Sequence, residues 1–351
     1  MFAVETKSFE KALRAVQLAT SITSPLLTLH QAMLEYDNTG VQLTATDLDV
    51  TVQVRLRCLR VVGCGEFLLD PRDVLAFIKD TSAVTYEGGK FICGNKTMEW
   101  YQTPVEEYPG IGKGAVFCWT TRQQLGPDFI TGLAKCLPFA SKGLLRPVFT
   151  CLKCGRREIA ATDTHRLMVY YPDIQEDLHE CLIPGKAAKA VIYLAKMYGV
   201  NGLEMRHNES SVRFCTDTFT VYSRKEEGRY PQYQVVLGDT PKKHAVIDVG
   251  DLLGLVKNVP RETAVALNVN GDHIQANYKT ERCTIGARIP AKLDPPKSDS
   301  LEIHVQGVYL KDLLESLRDR GTINLGFIGP NNPIIVRGRK EASILLPLRV
   351  S

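Results

Sequence analysis

Apolar positions along this chain follow two rhythms that alternate in blocks. Every second residue is apolar across much of 50–56, 219–224, 264–269 and 274–278, the period of a strand with one buried face. Between such runs apolar residues recur at spacings of three and four, the period of a helix packed on one side. Phe9, Ala12, Leu13 and Val16 form one such stripe; Ser8 before them is a good N-cap, predicting a helix over 9–19. Phe129, Ile130, Leu133, Ala134 and Leu137 form a second, opening near Gly126 with Pro127 in its first turn. Leu252, Leu253, Val256 and Val259 form a third, which starts near Asp251, stops at Pro260 and is the shortest.

A later helix follows each of these. Asp70, Pro71 and Asp73 supply a cap, a first-turn proline and an acidic first turn ahead of Val74, Leu75 and Ile78. Pro184-Gly185 opens a helix that runs through Lys196, and Tyr309, Leu310, Leu313, Leu314 and Leu317 mark one over 308–317. The whole order repeats at roughly 115 to 125 residues, a domain-sized period. It predicts an α+β fold of three similar domains, each an antiparallel sheet covered on one face by two helices. A doubly wound parallel fold is disfavoured, because helices are too few for the strands. The glycine-rich stretch at 110–114 and Gly238-Asp239-Thr240-Pro241-Lys242-Lys243 suit connections, placing the domains at 1–116, 117–241 and 242–351.

Composition adds mainly exclusions. The 44% apolar and 23% charged content is that of a well-packed soluble chain, and a formal charge of +4 permits an anionic partner without demanding one. No run of about 18 uncharged apolar residues occurs, so no membrane contact is expected. Met1-Phe2-Ala3-Val4-Glu5 reads as a strand rather than an export signal. Ten cysteines lie scattered through apolar runs, as small buried hydrophobes do in a reducing cytoplasm. Cys151 and Cys154 are the one close pair, and no second pair or histidines follow at ligand spacing, so no metal or other cofactor is expected. Neither Gly-rich phosphate-loop pattern is present. His165 beside Asp163 has no nucleophile motif with it and reads as a packed wall, so no catalysis is expected.

Four segments then carry a resemblance. Leu43-Thr44-Ala45-Thr46-Asp47-Leu48 and Ala161-Thr162-Asp163-Thr164-His165-Arg166-Leu167 resemble the "TGTDLE" and "ATDGHRL" strand ends of bacterial DNA sliding clamps. Gly228-Arg229-Tyr230-Pro231-Gln232-Tyr233 resembles their "GRFPDY", and Leu345-Leu346-Pro347-Leu348-Arg349-Val350 their closing "MPMRL". Val105-Glu106-Glu107-Tyr108-Pro109 is a first-domain echo of 228–231. The matches keep family order across nearly the whole chain, so it resembles the β subunit of bacterial DNA polymerase III. Departures accompany them: Thr164 replaces a usual glycine, Ser24 a basic residue before Pro25, Val235 a frequent arginine, and the net charge is basic rather than acidic.

The resemblance implies a non-catalytic, cytoplasmic and nucleoid-associated processivity factor. It would encircle double-stranded DNA without reading sequence, as a head-to-tail homodimeric ring. Polymerase and clamp loader would dock through short peptides containing leucine and phenylalanine. For DNA, Lys186, Lys189, Tyr193 and Lys196 fall in one arc of their helix, opposite Ala187, Ala190, Val191 and Leu194. Lys11, Arg14, Arg72, Lys79, Lys142 and Arg146 are further candidates. Position in the family motifs implies a peptide groove walled by Phe149, Thr162, His165, Arg166, Leu167, Pro231, Val235 and Val236. Gln306, Tyr309, Pro333, Ile344, Leu345, Leu346, Pro347, Leu348 and Arg349 would complete it. Ring closure would pair the strand at 97–102, with Met98 and Trp100 on one face, against Leu255, Val256, Val259 and the stretch 280–285. An alternative keeps the fold as a scaffold of a phage or mobile element that binds host replication factors without serving as the replicative clamp. A cytosolic enzyme is a third reading, and it would need a pocket with perturbed acids or a metal.

Overall fold

The computed structural model describes residues 1–79, 81–101, 104–109, 119, 122–143, 145–296 and 299–349. The first third runs β1 (Phe2–Glu5), α1 (Thr6–Val16), β2 (Ala32–Asp37), β3 (Gly40–Thr46), β4 (Val50–Leu56), a short β5 (Arg60–Val61) and β6 (Gly65–Leu69). It continues with α2 (Pro71–Phe77), β7 (Ala83–Glu87), β8 (Lys90–Cys93) and β9 (Lys96–Glu99). The second runs β10 (Gln123–Leu125), α3 (Pro127–Cys136), β11 (Cys151–Arg156), β12 (Glu158–Thr162), β13 (Arg166–Tyr170) and β14 (Leu178–Pro184). After these come α4 (Gly185–Tyr198), β15 (Leu203–His207), β16 (Ser211–Cys215), β17 (Phe219–Arg224) and the single-turn α5 (Gln234–Leu237). The third runs β18 (Lys243–Asp248), α6 (Val249–Val256), β19 (Ala264–Asn270), β20 (His273–Lys279), β21 (Thr284–Asp294) and β22 (Leu301–Gln306). It closes with α7 (Gly307–Ser316), β23 (Thr322–Phe327), β24 (Ile334–Arg337) and β25 (Glu341–Leu345). Setting β5 and α5 aside, each third is strand, helix, four strands, helix, three strands.

The described residues fall into two compact units, Met1–Ile130 with Lys186–Lys225, and Thr131–Gly185 with Glu226–Ser351. The first unit holds a five-stranded sheet, β5-β1-β7-β8-β9, and an eight-stranded one, β10-β15-β16-β17-β4-β3-β2-β6. The second holds a twelve-stranded sheet, β14-β11-β12-β13-β25-β24-β23-β18-β21-β20-β19-β22. Every strand pairing is antiparallel, for example β4 with β17 and β13 with β25. The fold class expected from the sequence therefore holds, with a refinement. The first two thirds each divide their strands between two sheets, and α1 packs on α2 and touches both β1 of one sheet and β3 and β4 of the other. Phe2, Phe9, Phe67 and Phe91 fill that core with no exposure.

Helix starts shift from the sequence reading. The first begins at Thr6, with Glu5 in the extended N-cap position; Ser8 lies inside its first turn and donates from Oγ to Glu5 Oε2 at 2.7 Å. The third-domain helix begins earlier than Asp251, because Asp248 caps it by accepting from the Gly250 and Asp251 amides at 2.7 and 3.2 Å. Gly185 and Gly307 open α4 and α7 where a backbone carbonyl passes close: a Cβ would meet Thr150 O at 2.8 Å and Thr263 O at 2.9 Å. The glycine-rich stretch at 110–114 lies outside the described residues.

The two Thr-Asp motifs build the same turn twice. Asp47 Oδ1 accepts from the Asp49 and Val50 amides, and Asp163 Oδ1 from the His165 and Arg166 amides. Thr46 and Thr162 accept through Oγ1 from the amides of Leu48 and Thr164. Those two residues sit at φ 79° and 78°, a left-handed conformation that a residue with a Cβ adopts at a cost of about 1–2 kcal/mol. Thr164 is exposed, so glycine there relieves strain and loses no packing. Thr164→Gly is expected to raise stability by about 0.5–1 kcal/mol net of the added unfolded-state entropy. A higher urea midpoint checks this, and a lower one contradicts it.

Cys151 and Cys154, three residues apart on β11, are both buried. That spacing puts their side chains on opposite faces, so they do not converge on one ion. Burial pushes the Cys151 thiol up to about 11, and a thiol hydrogen bond with Cys181 together with burial raises Cys154, so both stay protonated at neutral pH.

Candidate partner groove and nucleic-acid face

In the second unit β13 and β25 lie side by side, with Leu167 opposite Ile344 and Arg166 opposite Leu345. Leu167 and Ile344 belong to a buried cluster with Cys151, Ala160, Val169, Leu182, Tyr230, Tyr233 and Ile335. Val148, Leu237, Ile328 and Leu346 pack against it while staying partly exposed. Above this floor α5 presents Val235 and Val236, 73% and 40% exposed, and Leu348 is 37% exposed. An isolated Val can be accidental, but here exposed aliphatic side chains continue a half-open apolar floor.

Polar groups hold the floor in place. Tyr230 Oη accepts from the Thr162 amide at 3.0 Å, and Tyr233 Oη donates to Glu158 Oε1 at 2.6 Å. Burial raises both phenols far above their ordinary range. Phe149 meets the Tyr230 ring edge-on at 6.4 Å between centroids. Leu346 N donates to His165 O, Pro347 bridges to Val305, and Leu348 N donates to His304 O. The terminal segment thus leaves β25 and follows the edge of β22, the edge position that Pro347 requires. Gln306 Nε2 donates to Arg261 O at 2.6 Å, and Pro333 is half-buried.

Arg166 has a different place from the other groove candidates. Its side chain is 4% exposed and each of its three guanidinium nitrogens is engaged internally: Nε to Asp163 Oδ2 at 2.9 Å, Nη1 to Asp312 Oδ2 at 2.5 Å, Nη2 to Pro138 O at 2.7 Å. Its guanidinium lies 4.2 Å from the Tyr309 ring centre and 5.3 Å from that of Phe139. Exposed His165 stacks on Tyr309 at 6.1 Å. Arg166 is therefore a buried brace between Asp163, Asp312 and the Pro138 carbonyl. Thr162, Ile344 and Leu345 are likewise buried, so they shape the strip without lining its surface. Leu237, Ile328, Val148 and Ile335 were not singled out from sequence; they come from separate segments that only the fold brings to this cluster.

On α4, Ala187, Ala188, Ala190, Val191, Leu194 and Ala195 are buried and Lys186, Lys189, Tyr193 and Lys196 are exposed, matching the expected arcs. Lys186 is half engaged, in an ion pair with Asp47 at the Thr-Asp turn of the first third. Arg14 pairs with Glu10 at 2.8 Å, and Arg72 with Asp70 at 2.5 Å, where it also braces the cap of α2. Lys11, Lys79, Lys142, Arg146, Lys189 and Lys196 are exposed and make no ion pair among the described residues. Lys79 lies beyond the end of α2.

At the expected closure surface Met98 is half-buried, and Trp100 is tied to its own body by Nε1 donating to Leu68 O at 2.6 Å. Gln102 lies outside the described residues. Val256 and Val259 turn inward, 0% and 8% exposed, because they continue the core stripe of Leu252 and Leu253. That corrects their assignment to a surface, and of the three helix residues only Leu255 keeps partial exposure.

No family model matches the chain. The beta sliding clamp of Pseudomonas aeruginosa is 24% identical to it, covering 99% of this chain and 100% of that protein. Among solved structures, the β subunit of DNA polymerase from Streptococcus pyogenes covers 99% of this chain and all of its own, with a TM-score of 0.86 at 18% identity. A Bartonella birtlesii sliding clamp bound to griselimycin superposes with a TM-score of 0.85 at 18% identity, covering 99% of both chains. The chain thus has the fold of the solved beta sliding clamps and is similar in sequence to that of Pseudomonas aeruginosa along nearly its whole length.

Proposed function

We propose that the chain is a DNA sliding clamp, a non-catalytic subunit that closes into a homodimeric ring around double-stranded DNA and tethers the replicative polymerase. In this reading each third is one domain, at 1–116, 117–241 and 242–351, and the protein works in the cytoplasm on the nucleoid. The carrying observation is the apolar strip on the second unit, where Val235, Val236, Leu346 and Leu348 stand over a buried floor. A short peptide ordering itself there gains mainly by burying its own aliphatic and aromatic side chains, which suits leucine- and phenylalanine-containing motifs of polymerase and loader.

The outward arc of α4 supports the DNA half of the reading. Ammonium groups without fixed hydrogen-bond geometry attract phosphates and read no bases, as sliding requires. Replacing Lys189 and Lys196 together by alanine is expected to lower the slope of log affinity against log salt by about 2. The loss should be equal on unrelated DNA sequences; an unchanged slope removes α4 from the DNA face.

The decisive experiment combines solution mass by light scattering with retention on nicked circular and linearised DNA after loader-dependent loading. A dimer that stays on circles and runs off linear ends supports the clamp. A lasting monomer, or equal retention on both DNAs, favours the scaffold that binds replication factors without encircling DNA. The local pairing of Lys186, Arg14 and Arg72 with carboxylates keeps that second reading in play, since it reduces the free cationic charge.

A further inference from the structure

Two thiols face each other inside the second unit and take no part in the apolar strip or the cationic face. Between β11 and β14 the register sets Lys153 against Leu182 and Cys154 against Cys181. Directly opposed residues of an antiparallel pair point to the same side of the sheet, with Cα atoms about 4.5–5.5 Å apart. A disulfide spans Cα separations of roughly 4.4–6.8 Å, so this pair can be joined without moving the backbone. The Cys154 thiol already hydrogen-bonds with Cys181, and both are free cysteines. Cys151, three residues earlier on β11, stands opposite Pro184 and has no such partner in the ladder.

We infer that Cys154 and Cys181 form a reversible redox lock, a cross-strand disulfide that peroxide makes, thiols reopen, and that fastens β14 to β11. β14 is the strand where a fastening counts. It lies at the edge of the twelve-stranded sheet, and among the described residues β11 is its one strand partner. Their register also shifts between Cys154 and Arg156, which interrupts the ladder beside the pair. The stretch from 154 to 181 contains β12, the second Thr-Asp turn and β13, hence Ala160, Leu167 and Val169 of the strip's floor. A covalent bond between its ends closes that stretch into a loop and removes freedom it would gain on unfolding. Oxidation would thus hold the floor of the strip together.

The two sulfurs have different access. Cys181 is 6% exposed and Cys154 not at all, so Cys181 reacts first, when fraying of the edge strand admits peroxide. Its sulfur attacks one peroxide oxygen and the O–O bond breaks. The departing hydroxide takes the Cys181 proton and leaves as water, with a sulfenic acid on Cys181. The Cys154 sulfur then attacks the Cys181 sulfur and the S–O bond breaks. The hydroxide released takes the Cys154 proton as a second water. Two thiols are oxidised to one disulfide and one peroxide is reduced to two waters. A small thiol reverses the bond by exchange.

The test treats the full chain with hydrogen peroxide, blocks remaining thiols with N-ethylmaleimide under denaturing conditions, and maps tryptic peptides without reduction. Trypsin cuts after Lys135, Lys153, Arg156, Arg166 and Lys186, which puts Cys136, Cys151, Cys154 and Cys181 on four different peptides. The expected product joins 154–156 to 167–186, two hydrogens lighter than the separate peptides, and disappears with dithiothreitol. The urea midpoint should rise by on the order of 1 M on oxidation and return on reduction. Cys181→Ala should abolish that rise. Recovery of Cys154 as an alkylated thiol while exposed Cys64 and Cys283 are oxidised overturns the lock, and so does a link from Cys154 to Cys136. A 154–181 link that leaves the midpoint unmoved overturns the fastening of β14. A rise that persists in Cys181→Ala assigns the effect to other thiols and overturns it as well.

Discussion

Arg166→Ala is expected to cost about 3–5 kcal/mol of stability, among the largest losses a single substitution can produce here. The guanidinium is sheltered between Tyr309 and Phe139 and satisfies Asp163, Asp312 and the Pro138 carbonyl at once. The carboxylates are 10% and 21% exposed, so truncation leaves two poorly solvated anions facing each other across a hole. Lysine should recover little of the loss, because one ammonium cannot reach three acceptors from the plane of the Tyr309 ring. The urea unfolding midpoint checks this, with circular dichroism confirming a folded start. A shift no larger than the roughly 0.5 kcal/mol typical of surface changes would show that Arg166 is not structurally held. Since β13 carries both Arg166 and Leu167, the same variant should also loosen the apolar strip, and peptide affinity should fall with it.

That residue also shows how far sequence reasoning reached. The motif around Asp163 suggested Arg166 as a wall of the groove, and its side chain is instead buried and bound to Asp163 and Asp312. The difference is made by Asp312, 146 residues away, and no local pattern announces such a partner. Lys186 is the same case, because its pairing with Asp47 joins the first turn of α4 to a turn in the first third. What was legible was periodicity. The strands Val50–Leu56 and Phe219–Arg224 appear with the expected bounds, and the alanine side of α4 is buried while its lysines are exposed. Alternation decides which face a strand buries but not which strand lies beside it. For that reason the three repeats could be counted from sequence, while the division of each of the first two between two sheets could not.

Helical stripes have a related ambiguity. Val256 and Val259 are apolar at the right spacing, and the stripe satisfied a core reading and an interface reading equally. Their burial, at 0% and 8% exposure, decides for the core. Asp248 explains why that helix starts before the expected Asp251: an extended residue whose carboxylate bonds two amides ends the strand and begins the helix together.

Lys135 was not singled out from sequence, and it carries the second large effect. Its side chain is 10% exposed, with Nζ 2.7 Å from Asp319 Oδ1 and 2.9 Å from Glu341 Oε1. Asp319 is 66% exposed and would be rehydrated if the lysine were lost; Glu341, at 9%, would not. Glu341 stands opposite Tyr170 where β25 joins β13, and Arg320 at 3.6 Å is its remaining cation. Lys135→Met is therefore expected to cost about 3 kcal/mol, chiefly through the stranded Glu341 carboxylate and not through lost attraction. The double variant Lys135→Met with Glu341→Leu separates these causes, because it removes the buried charge together with its partner. It should recover to within about 1 kcal/mol of the unsubstituted chain, giving a large favourable coupling in the double-mutant cycle. If the double variant is as unstable as the sum of the singles, the coupling is zero and Lys135 and Glu341 act independently, which overturns the stranded-carboxylate account.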